Sequence, residues 1–499
     1  MFNQVKTIIF VSLASIVNLC FCANIEHPLR LSLTISSKLH HLEISWFSVK
    51  PTEGVILITN DEPSGPYHKY SVPAYNDDHF YASTTEKPDT ESTSTTHYDQ
   101  PYADSVEVFE SRMAETDSIW TYGPSNKTAQ YWLEPKEPSG WVTTNILFDV
   151  ELSKQISIRT KCYGYWAVYL NGNGEVKATA CVSAHPTWMN DMKSHIGRFK
   201  FRDLFLAGTH DSGSYRDGFN PRRNETLVTK YALTQDDDIY TQLMHGVRYL
   251  DIRIGYYRAS HPVFWVNHGI TKQQSLAKVL RQVKDFVLET NEIVIFDVQE
   301  WPVGFGKKLD IHRNLVHYIQ TEIGDLLVDP NLTWDANLDD IWKTKRNVIL
   351  GYDHIAMVHE FPSYLWHSVQ QRWGNVQSLT DLKRYLSPSS RGFLLFSSRP
   401  VADMAELTPN TWDVLTDRFG GTFISLNLRF IPTGFHLVQC LISGLRRMAD
   451  QANRHISRWY IEEWGSMTNI VAVDFIRGTN LMETALYWNG KKDILSPKR

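Results

Sequence analysis

From Leu29 to Ser183 apolar and polar residues alternate in short runs, such as Leu29-Leu31-Leu33-Ile35 with their polar partners and Ile156-Ser157-Ile158-Arg159. Gly, Pro and Asn clusters separate these runs. A period of two predicts half-buried strands, and helical periodicity is scarce there. We expect an all-β, sandwich-like domain over residues 23–187, interrupted by a Ser/Thr-rich loop over 83–96. After Trp188 the pattern changes. Apolar runs at Leu204–Ala207, Val247–Ile254, Val263–Val266, Ile293–Val298, Asn347–Gly351, Phe393–Phe396, Phe423–Leu428 and Ile470–Phe475 alternate with stretches of helical period. Ser275–Glu289 places Leu276, Val279, Leu280, Val283, Phe286 and Val287 on one helical face, and Leu309–Leu327 is similar. This texture predicts an α/β fold with parallel strands, and the number of runs suggests a barrel over residues 188–499. A doubly wound open sheet is the alternative, but no glycine-rich phosphate fingerprint follows any strand.

Length and composition narrow the class. The 499 residues fit two domains, and 42% hydrophobic with 21% charged residues describes a globular chain. A net charge of −5 gives no basic bulk for holding nucleic acid. Residues 1–22 combine Lys6, an apolar run from Thr7 to Cys20 and small residues near Ala23, the order of a secretory signal peptide. A signal anchor is the alternative, but the run is short for a bilayer span. A secreted, extracellular protein is therefore expected. Cys162 and Cys181 flank the turn sequence Asn171-Gly172-Asn173-Gly174, so a disulfide near that hairpin is expected, with two buried thiols as the alternative. Cys440 reads as a core thiol. The sequons at Asn126, Asn224 and Asn331 are candidate glycosylation sites. Trp132, Trp141, Trp166 and Tyr169 read as core residues, or else as carbohydrate or lipid contacts.

In parallel barrels the chemistry sits at the C-terminal ends of strands. There the sequence places Thr209-His210-Asp211-Ser212, Asp251-Ile252-Arg253, Asn267-His268-Gly269, Asp297 with Gln299 and Glu300, and Asp474. Two imidazoles suit an internal phosphodiester transfer, in which one accepts a proton from an attacking hydroxyl and the other protonates the departing oxygen. Arg253 would neutralise the phosphate, and Asp211, Asp251 and Asp474 would orient the imidazoles or the arginine. Lys272, Arg399 and Asp353 are candidate contacts to ring or phosphate, against surface or ion-pair roles. Trp366, Trp373, Tyr256 and Tyr257 are candidates for an apolar rim, against core packing. Gln235-Asp236-Asp237-Asp238 reads as a solvated acidic loop.

Residues 202–300 resemble the X region of phosphatidylinositol-specific phospholipases C. Leu206-Ala207-Gly208-Thr209-His210-Asp211-Ser212-Gly213 looks like the first histidine motif, Gly246-Val247-Arg248-Tyr249-Leu250-Asp251-Ile252-Arg253 like the second strand, and Asn267-His268-Gly269 like the second histidine motif. The C-terminal half resembles the single-barrel, X-domain-containing members more weakly, through Leu365-Trp366 to Trp373 and Val473-Asp474-Phe475. The N-terminal half lies outside the resemblance. The resemblance implies a TIM-type barrel that cleaves an inositol phospholipid or a glycosylphosphatidylinositol anchor at a peripheral membrane surface, with His210 as base, His268 as acid and Asp474 supporting His210. It also bears on the metal. Calcium-dependent relatives surround the phosphate with an Asn and carboxylates, whereas here Asp211 and Tyr249 occupy two of those places, and Asp-Ile-Arg is similar to the metal-free bacterial members. No cofactor is expected; were calcium used, Asp297, Gln299 and Glu300 would be its candidate ligands. Two other functions compete: a non-catalytic lipid- or glycan-binding scaffold, and a glycerophosphodiester hydrolase, which would start with His-Arg rather than His210-Asp211. Oligomeric state is not legible in the sequence.

Overall fold

The computed structural model describes residues 30–47, 54–63, 67–71, 118–122, 127–392, 397–410, 414 and 444–495. The expected signal peptide, the 83–96 loop, the runs Phe393–Phe396 and Phe423–Leu428, Asn126 and Cys440 lie outside the described residues, as does the side chain of Asn224.

The N-terminal part is built from antiparallel strands. Arg30–Ile35, His41–Phe47 and Gly140–Leu147 form one sheet, and Val176–Ser183, Cys162–Asn171, Gly54–Thr59 and Tyr131–Leu133 form a second. Leu33, Ile35, Leu42 and Ile44 of the first share one apolar cluster with Ile56, Ile58, Tyr165, Ala167 and Tyr169 of the second. Val55, Leu57, Val168 and Leu170 face the other way, into a cluster with Tyr67. Gly54–Thr59 is thus covered on both faces, which is why its sequence is apolar throughout rather than alternating. A third, small sheet joins Tyr67–Ser71, Ser118–Tyr122 and Lys127–Thr128.

The hairpin expected at Asn171 forms. The Asn171 side chain accepts hydrogen bonds from the backbone of Asn173 and Glu175, and Gly174 takes the positive φ of +78° that closes the turn. Cys162 and Cys181 are bonded across the two strands, with Cα atoms 5.7 Å apart. A loop of this size gains on the order of 3 kcal/mol from such a link. Ile156-Ser157-Ile158-Arg159, expected as a strand, is instead a turn after the short helix Val150–Lys154. The Thr160 hydroxyl accepts from the Ser157 backbone, and Ile156 and Ile158 alternate because both rest on the core of the following domain.

That domain is mixed α/β with a barrel-like parallel sheet. From Leu206–Thr209 the sheet runs one way through Tyr249–Tyr256, Val294–Glu300, Val348–Tyr352 and Trp366–His367, and the other way through Ile470–Val473, Val401–Met404 and Gln370–Trp373. Its two ends are consecutive pieces of one segment parted only by Ser368 and Val369, so they meet. Asp297 spans the break: its carboxylate accepts from the Val369 backbone at 3.2 Å and from the Tyr249 hydroxyl at 3.0 Å. Gly351 has to be glycine here, because a Cβ would lie 2.0 Å from the Asp297 carboxylate. Val263–Val266 does not join the parallel set. It belongs to the antiparallel hairpin Phe264–His268 and Thr271–Ser275, which extends the end of Tyr249–Tyr256. Gln370–Trp373 and Val401–Met404 were not among the expected strands because their buried residues include a charged pair, Arg372 and Asp403, 2.6 Å apart and joined by Arg391 and Tyr460. The helix expected at Ser275–Glu289 is Leu276–Thr290, with the Ser275 hydroxyl capping Lys278 N.

The stretch Gln235–Asp238, expected as a solvated loop, is a buried joint between the two parts. Asp236 pairs with Arg446 at 2.6 Å and His40 at 3.3 Å, Asp237 with Arg477 at 2.7 Å, and Asp238 caps the helix Ile239–His245. Around it Ser36 donates to Asp450, and Arg454 binds Glu43 through both carboxylate oxygens. Each acid finds its cation far along the chain, which no local spacing reveals. Among the described residues no helix is long and apolar enough to cross a membrane.

Burial alone would raise the Asp236 pKa, but Arg446 and His40 hold it well below its usual 3.8. A group depressed in this way stabilises the fold above its unfolded pKa, and the contribution fades as pH falls through the native value. Asp236→Asn strands a buried guanidinium and is expected to cost about 3–5 kcal/mol in urea unfolding at pH 7. The loss should shrink when wild type and variant are compared in strong acid.

Candidate active site

Strand register assembles the site. Thr209 lies opposite Val473 in parallel pairing, so the residues that follow, His210 and Asp474, leave neighbouring strands side by side. His210 Nδ1 sits 2.8 Å from Asp474 Oδ1, which fixes the ring and leaves Nε2 available. The Gln235 amide holds the strand ends beneath the ring by donating to the His210 and Val473 carbonyls at 3.1 and 2.9 Å. Immediately afterwards the chain turns sharply, with Asp211 at a positive φ of 38°. Asp251 catches this turn: its Oδ2 accepts from Asp211 N at 2.9 Å and from Arg253 Nη2 at 3.1 Å, and its Oδ1 accepts from Gln371 at 3.1 Å.

Arg253 follows an irregularity in the pairing of its strand with Val294–Glu300. Its guanidinium also lies 4.0 Å from Asp211 and 3.8 Å from Glu300. His268 arrives from a different direction, at the end of the antiparallel hairpin strand. Its Nδ1 is 3.0 Å from the Ala232 carbonyl, which requires the proton on Nδ1 and frees Nε2. The two imidazole centroids are 6.1 Å apart and nearly perpendicular, at 86°. His210, His268, Arg253, Asp211, Asp251 and Asp474 thus converge at one end of the parallel sheet.

The field within the site is uneven. Burial would lower His210, but Glu406 and Asp474 raise it to about 9. Burial lowers His268, and the positive charges of His210 and Arg253 lower it further, to about 4. Asp211 is pushed up to about 7 by burial, against the pull of Arg253. Asp251 is held below the usual range by Arg253 and His210, which outweigh its burial. Glu406 is the residue that sequence reasoning missed. It follows the strand Val401–Met404, is 4% exposed, and neither carboxylate oxygen has a hydrogen-bond partner among the described residues. Burial lifts its pKa to about 7. The rule that polar residues after strands carry chemistry would have found it, had Asp403 not disguised the strand.

The other candidates are engaged with other partners. Lys272 is stacked 3.6 Å from the Trp265 ring centroid and donates to Ser260. Arg399 donates to the Ser368 carbonyl, and Asp353 accepts from the Ser368 hydroxyl. Tyr256 packs in an aromatic cluster with Phe264 and Phe305, and Tyr257 accepts from the Asn267 amide. Trp366 is buried, with its indole N–H on the Val328 carbonyl, so it is no rim residue. Trp373 is exposed and donates to Thr408. Asn331 is exposed, as a glycosylation site requires. Asp297 is engaged by Tyr249, Gln299 and Val369. Among the described residues no three His, Cys, Asp or Glu side chains are grouped to hold a metal ion.

No family model matches the chain. Curated relatives do. The chain is 26% identical over 211 residues to PI-PLC X domain-containing protein 1 of Danio rerio, covering 38% of this chain and 65% of that protein, just under two thirds of its length. It is 23% identical over 314 residues to PI-PLC X domain-containing protein 3 of Danio rerio, covering 58% and 88%. To PI-PLC X domain-containing protein 1 of Homo sapiens it is 25% identical over 226 residues, covering 41% and 68%. Among solved structures, the phosphatidylinositol-specific phospholipase C of Listeria monocytogenes aligns with a TM-score of 0.41 at 15% identity, over 60% of this chain and 97% of that one.

Because the unpartnered Glu406 carboxylate is the leading charge acting on His210, Glu406→Gln is expected to lower the His210 pKa by about one unit or more. NMR titration of the His210 ring in both proteins measures the shift.

Proposed function

We propose, from the premise that this chain belongs to the PI-PLC X-domain family, that it is a phosphodiesterase cleaving the glycerophosphate bond of phosphatidylinositol or a related inositol lipid. The observation that carries this reading is the pair of imidazoles, each with Nδ1 anchored and Nε2 free, set 6.1 Å apart beside the Arg253 guanidinium. A site that only bound its ligand would have no use for both an acid and a base. In the proposed reaction His210 Nε2 accepts the proton of the inositol 2-hydroxyl as that oxygen attacks phosphorus. Asp474 and Glu406 stabilise the imidazolium that forms. The P–O bond to glycerol breaks, and His268 gives its Nε2 proton to the departing oxygen, releasing diacylglycerol and a cyclic inositol phosphate. Arg253 neutralises the phosphate through the transfer and does locally what a metal ion would do, so the activity is metal-independent, without calcium.

Without ligand the proton sits on the opposite ring: His210, raised to about 9, is charged at neutral pH, and His268, lowered to about 4, is neutral. The transfer as written runs from the state in which that proton has moved from His210 to His268, so this state has to be reached before the inositol 2-hydroxyl attacks.

Around the mouth, Ile270 is 87% exposed two residues beyond His268. Leu227 and Val228 are exposed on the short helix that ends at Ala232, and Trp373 is exposed on its own strand. We read these four side chains as the surface that meets a membrane carrying the inositol lipid or a glycosylphosphatidylinositol anchor. We read the parallel sheet as a TIM-type barrel, the N-terminal sheets as a sandwich, and the protein as secreted, where the Cys162–Cys181 bond is stable.

Purified protein on phosphatidylinositol vesicles is expected to release cyclic inositol phosphate, with and without a chelator. His210→Ala and His268→Ala should each slow it by about two to four powers of ten. Lack of product from the wild type would leave the fold as a binding scaffold. Ile270→Asp combined with Val228→Asp is expected to weaken vesicle sedimentation while sparing turnover of a monomeric short-chain lipid.

A further inference from the structure

A concave site lies away from the histidines, between the N-terminal sheet and the helix Leu445–Trp459. It is a cavity of about 340 Å³, within the size range of small-molecule pockets, and it shares no lining residue with the site described above. Its charges exclude an ionic ligand. Three guanidiniums line it, Arg30, Arg454 and Arg458, and so do three carboxylates, Glu43, Glu462 and Glu483. Formal charge therefore cancels. Arg454 is paired with Glu43, and Arg458 with Glu462 at 3.0 Å. That leaves Arg30 and Glu483, of opposite sign, and no net formal charge to draw a phosphate or an ammonium.

What remains is a wall dense in both donors and acceptors, supplemented by the hydroxyls of Ser45, Ser139 and Thr179. Two indoles complete it. Trp46 is fixed by its N–H on the Glu137 carbonyl and by Gly140, where a Cβ would fall 2.6 Å from the ring. Trp141 is 39% exposed and rests edge-on against His455. One donor atom is unspent: Arg30 lies 3.6 Å over the Tyr487 ring and is hydrogen-bonded to that side chain, but its buried Nη2 has no hydrogen-bond partner among the described residues. Burying a charged donor without a partner is unfavourable unless a ligand supplies the acceptor.

A neutral molecule with many hydroxyls and one apolar face matches this surface. Its hydroxyls each donate and accept, as paired Arg–Glu groups do, and a pyranose ring offers its C–H face to an indole. We infer that this cavity is a glycan-binding site, taking a neutral sugar against Trp141 with hydrogen bonds to Arg30, Arg458 and Glu462.

The test uses the full chain and four neutral probes, namely mannotriose, maltotriose, chitotriose and lactose, followed by tryptophan fluorescence and calorimetry. At least one should bind. Its Kd should rise by about tenfold or more in Trp141→Ala and in Arg458→Leu, and should be largely kept in Trp141→Phe. Both side chains are partly exposed, so the variants should fold, and turnover of inositol lipid should not change. The inference is overturned if none of the four binds, if affinity survives both substitutions, or if only inositol hexakisphosphate binds, with an affinity that collapses in salt.

Discussion

Two oxygen atoms of Asp251 tie together the turn after His210, the Arg253 guanidinium and Gln371. One takes the backbone N–H at which the chain turns after His210, together with the Arg253 guanidinium, and the other takes the amide of Gln371 from the far side of the ring of strands. A carboxylate buried this completely is tolerated only because it is fully hydrogen-bonded and faces a fixed cation. In return it sets the angle of the turn, and hence where the first imidazole stands relative to the guanidinium. Asp474 then needs only to orient a ring that is already in place.

The same economy of charge appears across the site. Among the described residues Asp211, Asp251, Asp474 and Glu406 gather around one permanent cation, Arg253, and Glu406 and Asp474 load a proton onto His210. His268 is less affected because its anchor is a carbonyl rather than a carboxylate, and because burial and the positive charges of His210 and Arg253 outweigh the carboxylates nearby, among them Asp211 at 4.0 Å. Two chemically identical side chains thereby acquire very different proton affinities, which is the condition for dividing acid and base duties between them.

Sequence reading recovered what is encoded locally. His210 and His268 each follow a recognisable apolar run, Asp251 and Arg253 lie within one, and the helical spacing from Leu276 to Val287 marks its helix. It failed where meaning depends on a distant partner. The carboxylates of Gln235–Asp238 look solvated until Arg446 and Arg477 come to meet them. Val401–Met404 hides its nature behind Asp403, whose arginine partners lie 31 and 12 residues upstream, and Glu406 was lost with it. The alternation at Ile156 and Ile158 imitates a strand because two isoleucines of a turn reach the same core. Periodicity reports burial; it does not say which element does the burying.

The ionic joint at Asp236 and Asp237 adjoins Gln235, whose amide clasps the His210 carbonyl. The N-terminal sheets supply His40 to that joint, and Glu43 to Arg454 beside it. Autonomy of the histidine-bearing half is therefore limited. Severed from its partner it would keep the Asp236–Arg446 and Asp237–Arg477 pairs, which lie within it, but it would lose His40 from Asp236 and Glu43 from Arg454. In this chain the appended β-structure buttresses the segment next to the first imidazole without supplying its principal ion pairs.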